Sequence, residues 1–262
     1  MIPIHDSARR RATPWVNYGL ILLNIAVFAY MLTLSTAQPP TARQRAAAFE
    51  AQTHSVCYGF ETAPTASDAF ICRWAFQPKE FFDNLRGHSD VPAPDRPLIL
   101  FTIITSLFLH GGWLHIAGNM LFLWVFGDNV EDRLGHAGYL LFYLAAGIMA
   151  TLVQGLIGAG SVVPVLGASG AIAGVLGAYI VFFPRTTVFV VIPFFFLIFV
   201  PLPIPAFIMI GIWFIQNFLS GVASINGAAQ VDQGVAFFAH IGGFVFGMLL
   251  ALALPARRGR PR

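Results

Sequence analysis

The sequence has very little charge. Asp, Glu, Lys and Arg together make up only 10% of the 262 residues, whereas soluble domains carry about 25%. Lys79 is the single lysine, and the net charge of +3 does not indicate a nucleic-acid partner, because the arginines cluster at the two ends of the chain. Hydrophobic residues make up 57% of the sequence. This composition predicts an integral membrane protein in contact with the lipid bilayer.

Several uncharged stretches approach or exceed the roughly 20 residues that a helix needs to cross the hydrocarbon core. An outer-membrane barrel would show short alternating segments instead. Arginines precede the first stretch and follow the last: Arg9, Arg10, Arg11, Arg257, Arg258, Arg260 and Arg262. Because such arginines mark cytoplasmic ends, both termini are predicted to be cytoplasmic, which requires an even number of spans. The excess of arginine over lysine favours a bacterial genome, and hence the inner membrane of a bacterial cell.

The apolar runs predict an all-α, polytopic membrane protein with six spans. The spans are residues 15–34, a segment that begins near residue 113, and residues 139–157, 167–183, 206–220 and 234–254. The membrane domain then covers residues 15–254, between cytoplasmic tails at 1–14 and 255–262.

Three segments next to these spans are predicted not to cross the membrane as straight helices. Residues 98–109 are predicted to form a short interfacial helix, because the glycines at 111 and 112 divide a run too long for one straight span. Residues 127–135 are charged and are predicted to form a short cytoplasmic loop. Residues 188–200 are apolar, but the prolines in and after this segment indicate that it does not cross the membrane.

Residues 35–97 form a large polar loop, predicted to lie on the side opposite the termini. This loop holds the two cysteines of the chain, Cys57 and Cys72. They can form a disulfide if that side is oxidising, or they are two free thiols. The basic start followed by an apolar run also suits a signal peptide cleaved near residue 37. The run is longer than a signal core of about 7–15 residues, so an uncleaved helix is the preferred interpretation.

Four of the polar side chains inside the predicted spans are candidates for catalysis. Ser169 stands among small residues at the head of the fourth span, and His240 lies about a third of the way into the sixth. His115 and Asn119 are four residues apart, on one face of the second span. Each has a structural interpretation when taken alone, as a small packing residue or an interhelical hydrogen-bond partner. All four are predicted in the outer half of the membrane, where polar groups are costly.

Together these residues match the needs of a serine hydrolase. A hydroxyl is a poor nucleophile until a neighbouring base takes its proton, so Ser169 is the predicted nucleophile and His240 its general base. Asn119 and His115, with the backbone N–H of Ser169, are suited to stabilise an oxyanion. This chemistry needs neither a metal nor a cofactor, and none is predicted.

Small residues repeat at every fourth position around both predicted catalytic residues. Gly170 and Gly174 lie on the fourth span, and Ala239, Gly243 and Gly247 lie on the sixth. Such spacing lets two helix backbones approach closely in a membrane. A hydrogen bond of ~2.6–3.2 Å between the serine and the histidine requires an approach of this kind.

These motifs resemble the rhomboid family of intramembrane serine proteases. The matching sequences are His-Ile-Ala-Gly-Asn from His115, Gly-Ala-Ser-Gly from Gly167, and Ala-His-Ile-Gly-Gly from Ala239. The resemblance implies a six-helix fold, a dyad of Ser169 and His240, and hydrolysis of peptide bonds in or next to transmembrane segments of other membrane proteins. In some members an aromatic residue one turn after the serine stacks on the histidine. Here that position is Ala173, and Phe237 or Phe244 is predicted to replace it.

Two other classes of protein are alternatives. A catalytically inactive rhomboid relative acting as a scaffold would typically lack the serine or the histidine, and both are present. A transporter or channel would need a polar path through the whole membrane, for which Gln154, Gln216 and Asn217 are the candidates. The chain lacks the His-Glu-x-x-His motif of zinc proteases and a pair of aspartates within its spans. An intramembrane serine endopeptidase is therefore the preferred prediction.

Overall fold

The computed structural model describes residues 1–35, 66–87, 96–191, 201–225 and 235–254. Within these ranges the helices, in chain order, are α1 (Trp15–Ser35), α2 (Ala66–Trp74), α3 (Pro78–Leu85), α4 (Arg96–Thr105), α5 (Trp113–Phe122), α6 (Asp128–Leu134), α7 (His136–Ile157), α8 (Ser169–Phe182), α9 (Ala206–Ile225) and α10 (Phe237–Ala253). The strands are β1 (Ile2–Asp6), β2 (Thr187–Val191) and β3 (Pro201–Pro205).

The long helices coincide with the predicted spans. Within the part of the chain that the structure describes, three helices are long and apolar enough to cross a membrane: Trp15–Leu34, His136–Ile157 and Ala206–Ser224. A fourth candidate, Leu98–Phe108 with Trp113–Leu134, is bent by 77° at its break. The apolar helices α8 and α10 are shorter, at 14 and 17 residues. The all-α, polytopic fold class is confirmed, and this arrangement is compatible with six spans.

The charged segment at residues 127–135 is helical, not the loop predicted from its sequence. A π-helical turn, Leu123–Gly127, joins α5 to α6, so one nearly continuous helix runs from residue 113 to 134. Charge suggested a solvated loop, but Glu131 is only 1% exposed. Its carboxylate accepts the backbone N–H groups of Val16 (3.0 Å) and Asn17 (2.7 Å) in the first turn of α1. The buried charge is thus satisfied by a helix N-terminus, which favours negative charge.

A three-stranded antiparallel sheet was missed by the sequence analysis. β2 lies between β1 and β3, with Ile2 opposite Val191 and Thr187 opposite Pro205. The prolines of β3 fit an edge strand, where a missing N–H costs least. Residues 188–191 lie in strand β2, and residues 192–200 lie outside the described residues, so the prediction that this segment does not cross the membrane stays a prediction.

A buried carboxylate joins this sheet to the neighbouring helices. Asp6 in β1 is only 5% exposed. Its Oδ2 accepts hydrogen bonds from the Asn129 amide at 2.9 Å and from the Tyr179 hydroxyl. Burial raises the pKa of Asp6 to about 6, against the opposing effect of the hydrogen bond from Tyr179; the nearby carboxylate of Asp128 adds to the increase and His5 opposes it. The N-terminal residues, expected to be a tail, are therefore anchored through Asp6.

This carboxylate should make the stability of the protein depend on pH. Because the pKa of Asp6 is higher in the folded state than the ~3.9 of an unfolded chain, folding favours the protonated acid. The stability contributed by Asp6 is then fully present below pH ~4 and is lost as the pH rises through about 6. Melting curves at several pH values should show this loss in the wild type and a smaller one in Asp6→Asn. Identical slopes for the two proteins would contradict the assignment.

The described residues fall into two compact units. The first draws on Met1–Ile21, Ala117–Ala150 and Ser169–Arg262, and the second on Leu22–Ile116 and Thr151–Ala168. The first unit contains the sheet, α8, α9 and α10. The second contains α2, α3 and α4.

The second unit has an aromatic core. Phe76, Phe81 and Ile99 form a buried cluster, and Phe76 also bridges to Val165 by backbone pairing. The predicted helix at 98–109 is confirmed as α4 followed by a 3-10 turn that ends at Phe108.

One of the two cysteines, Cys72, is described, and it lies in this unit. Cys72, in α2, is 3% exposed. Cys57 lies outside the described residues, so its pairing with Cys72 stays a prediction.

Candidate active site

Ser169 is the first residue of α8. The chain enters this helix through Gly167, whose φ of 123° is a conformation that favours glycine, and whose N–H donates to the Ser106 carbonyl at 2.9 Å. The first N–H groups of a helix have no acceptor within the helix. The backbone N–H of Ser169 is one of these groups, and the helix dipole favours negative charge beside it.

The helix that carries Ser169 packs very closely against the helix that carries His240. A Cβ atom added at Gly243 would lie 2.1 Å from the carbonyl oxygen of Gly170. One added at Gly247 would lie 2.2 Å from the carbonyl oxygen of Gly174. The two backbones therefore touch along the repeated small residues. The close approach predicted from the spacing of these glycines is present between α8 and α10.

This approach brings the two predicted catalytic side chains together. His240 Nε2 lies 2.8 Å from Ser169 Oγ, and both side chains are half-buried. The distance is that of a hydrogen bond. An imidazole nitrogen at this distance is placed to accept the hydroxyl proton.

A third polar residue, Asn217 in α9, extends the pair. Its Oδ1 lies 2.6 Å from His240 Nδ1. Its amide nitrogen donates to the Trp213 carbonyl at 2.8 Å. Asn217 is 9% exposed. Ser169, His240 and Asn217 thus form a continuous hydrogen-bonded row supplied by three helices.

The aromatic neighbour of His240 is Trp213, which takes the place assigned from the sequence to Phe237 or Phe244. The Trp213 and His240 ring centroids are 5.7 Å apart, with the planes inclined by 37°. Phe244 packs against Trp213 and stacks on Phe214, with its centroid 4.5 Å from that of Phe214. Trp213 and Asn217 are one helical turn apart on α9, and neither was among the predicted site residues. The sequence signal that could have identified them is an amide four residues after a tryptophan in an apolar span, where a polar group is costly.

The two predicted oxyanion residues lie one turn apart on α5. Asn119 is 8% exposed and belongs to the same compact unit as Ser169 and His240. His115 belongs to the other unit, where its ring meets that of His110 edge-on at 5.0 Å. Its Nδ1 lies 3.5 Å from the N–H of Gly111. A role for either residue beside Ser169 stays a prediction.

These features define a class of protein: a polytopic helical membrane protein with a serine–histidine pair held between apolar helices. A sequence model of the rhomboid family, described as Rhomboid domain, matches residues 98–257. The chain belongs to the rhomboid family. The match covers the segment from α4 through α10, which includes all four predicted site residues.

Individual relatives support this membership. Rhomboid protein 1, mitochondrial, of Saccharomyces cerevisiae is 34% identical over 153 residues, 56% of this chain and 40% of the yeast protein. Presenilin-associated rhomboid-like protein, mitochondrial, of Homo sapiens is 29% identical over 160 residues, 59% of this chain and 38% of the human protein. Rhomboid protease GluP of Bacillus subtilis is 45% identical over 76 residues, 29% of this chain and 14% of GluP. The chain thus spans 40% or less of the length of each of these relatives.

Proposed function

We propose that this protein is an intramembrane serine endopeptidase that hydrolyses peptide bonds in or next to transmembrane segments of other membrane proteins. One observation carries the proposal: the 2.8 Å contact between Ser169 Oγ and His240 Nε2. The contact lies between two apolar helices whose backbones touch. Membership of the rhomboid family supports the same activity.

The proposed reaction begins with attack of Ser169 Oγ on the scissile carbonyl carbon, while His240 Nε2 takes the hydroxyl proton. The carbonyl oxygen becomes an oxyanion, which the backbone N–H of Ser169 stabilises together with Asn119 and His115. His240 then returns the proton to the leaving amine, the C–N bond breaks, and an ester to Ser169 remains. Water activated by His240 hydrolyses this ester and restores the free hydroxyl.

The short length of α8 supports a substrate bond inside the membrane. Its 14 residues give a length of about 21 Å at 1.5 Å per residue, less than the ~30 Å of a hydrocarbon core. If the helix reaches one face of the membrane at its C-terminal end, Ser169 at its other end lies several ångströms below the opposite face. A peptide bond at that depth belongs to, or adjoins, a membrane-spanning segment.

The membrane in which the protein acts is a separate question. The protein is an integral membrane protein, as its apolar helices and family show. Relatives named above are mitochondrial or come from a bacterium, so they do not favour one of these membranes. The arginines at both ends of the sequence support placing both termini in the cytoplasm. A bacterial inner membrane stays a prediction.

The direct test is to incubate the purified wild-type protein in detergent with a single-span substrate and, separately, with a fluorophosphonate probe that reacts with activated serines. Cleavage within or beside the span, together with labelling of Ser169, is expected. A folded protein that does neither is an inactive rhomboid relative, and the proposed activity would be withdrawn.

The oxyanion assignment gives a graded prediction. Asn119→Ala should lower kcat by up to ~10²–10³-fold, the loss seen when a side-chain oxyanion donor is removed from a serine protease. His115→Ala should also lower it, to a smaller extent, because the Ser169 N–H and Asn119 remain. The control is Asn24→Ala, which removes another buried amide from α1 and should leave kcat unchanged. Wild-type rates in both Asn119→Ala and His115→Ala would make α5 a purely structural element.

A further inference from the structure

Asn217 lies on the side of His240 opposite Ser169, at the end of the hydrogen-bonded row. The two contacts of the imidazole use different nitrogens: Nε2 faces Ser169 Oγ at 2.8 Å and Nδ1 faces Asn217 Oδ1 at 2.6 Å. A neutral imidazole carries its proton on only one of these nitrogens. Whichever group faces Nδ1 therefore decides whether Nε2 can act as a base.

The orientation of the Asn217 amide is fixed by its own helix. Its NH₂ group donates to the backbone carbonyl of Trp213 at 2.8 Å, and a carbonyl can only accept a hydrogen bond. The amide oxygen must then point the other way, towards His240. Because that oxygen also only accepts, Nδ1 must carry the proton, which leaves the Nε2 lone pair for the Ser169 hydroxyl.

We propose that Asn217 is a positioning residue that holds His240 as the Nδ1–H tautomer, with Nε2 directed at Ser169. This inference rests on the proposed hydrolase function. Three hydrogen bonds then run in one direction along the row: Ser169 O–H to Nε2, Nδ1–H to Oδ1, and one amide N–H to the Trp213 carbonyl.

The same contact stabilises the charged form of the base. When Nε2 takes the serine proton, His240 becomes an imidazolium, and its Nδ1–H bond to Asn217 becomes charge-assisted and stronger. Burial of Asn217, 9% exposed, keeps water from competing for this bond. Asparagine serves as the third member in papain-like proteases, where it orients a histidine in the same way. Here a neutral amide avoids placing a second charge among apolar helices.

A purely structural role for Asn217 makes a different prediction. If Asn217 only linked α9 to α10 by a hydrogen bond, replacing it would lower the melting temperature and the rate together. Aspartate at this position would then be no better than leucine. As a positioning residue, it should change kcat while KM stays constant, because the substrate does not touch it. An acceptor oxygen restored at this position should also restore the rate.

The experiment compares wild type, Asn217→Leu, Asn217→Asp and the control Gln216→Leu in the cleavage and fluorophosphonate assays, with a melting curve for each. Gln216 is the exposed neighbour on the same helix. Its replacement by leucine also removes a side-chain amide, but leaves the hydrogen-bonded row intact. Asn217→Leu should lower kcat and the labelling rate by on the order of 10²-fold, the lower end of the range for general base catalysis. KM should stay at the wild-type value, Asn217→Asp should recover most of the rate, and Gln216→Leu should match the wild type.

Two outcomes overturn the inference while the proposed function stands. One is an Asn217→Leu protein that cleaves and labels at the wild-type rate. The other is equal loss in Asn217→Leu and Asn217→Asp, in proportion to a lowered melting temperature. A wild-type protein that neither cleaves nor labels is a different result, since it removes the proposed function and the inference together.

A spectroscopic measurement tests the tautomer without any change at Asn217, in case the leucine variant does not fold. Nitrogen-15 shifts of the histidine rings in the wild-type protein, with the His240 signal assigned by its loss in His240→Ala, distinguish the two neutral tautomers. The Nδ1–H form is expected for His240 where its ring is neutral. A resting Nε2–H form would overturn the inference.

Discussion

The Ser169→Ala protein is expected to cleave no substrate and to bind no fluorophosphonate, while melting within a few degrees of the wild-type temperature. The substitution removes one oxygen atom and leaves the backbone N–H of the oxyanion site in place. Its structural cost is the loss of one half-buried hydrogen bond to His240, about 1 kcal/mol, offset in part because alanine is a good helix former. Activity should therefore be lost in this variant while the stability of the fold changes little.

His240→Ala should be as inactive as Ser169→Ala, because the hydroxyl then has no base. Catalytic groups that act as a unit give non-additive effects, so the double variant should be hardly worse than either single one. Rates for the three proteins, measured against wild type in the same detergent, give the answer. Substantial cleavage by Ser169→Ala would mean that another group is the nucleophile.

The second large effect is expected at Gly243, where stability and activity should be lost together. Its added Cβ atom would stand 2.1 Å from the Gly170 carbonyl oxygen and 3.0 Å from the carbonyl carbon. Both are backbone atoms, so no side chain can move aside to relieve the clash. In Gly243→Val the helices α8 and α10 must separate, which costs about 1–3 kcal/mol or more through overpacking. A displacement of ~1 Å between Ser169 and His240 can lower the rate by ~10²-fold.

The matched control for this variant is Gly211→Val. Gly211 lies in α9, and an added Cβ meets nothing within 4 Å. The same change of residue should therefore leave melting and cleavage near the wild-type values. If Gly243→Val also melts and cleaves normally, α8 and α10 do not meet at this glycine, and the placement of His240 beside Ser169 would have to be abandoned.

Much of the membrane architecture could be predicted from the sequence, because its signals are local. Apolar runs located the long apolar helices to within a few residues, and small residues at every fourth position indicated that the helices carrying Ser169 and His240 approach closely. A polar side chain inside a span is costly, so Ser169 and His240 stand out against their apolar neighbours in the sequence itself. Periodicity and hydropathy carry this information within about 20 residues of chain.

The remaining features depend on partners far apart in the chain. Glu131 looked like part of a solvated loop because its partners, the amides of Val16 and Asn17, lie more than a hundred residues earlier. Asn217 was one amide among several in apolar spans, and its relation to His240 appears only when α9 and α10 are placed side by side. The pairing of β1 with β2 likewise joins the N-terminus to residue 191. Local sequence patterns do not indicate which distant residues come into contact.

The cap that Glu131 provides for α1 has a consequence for biosynthesis. The carboxylate that binds the first amides of α1 follows them by 114 residues, a delay of roughly 6–23 s at the ~5–20 residues per second of translation. β1 stays unpaired for longer still, since its partner strand β2 ends at Val191. A ribosome therefore exposes the N-terminal segment well before its binding partners exist. Pairing of β1 is then delayed during biogenesis until β2 has been synthesised.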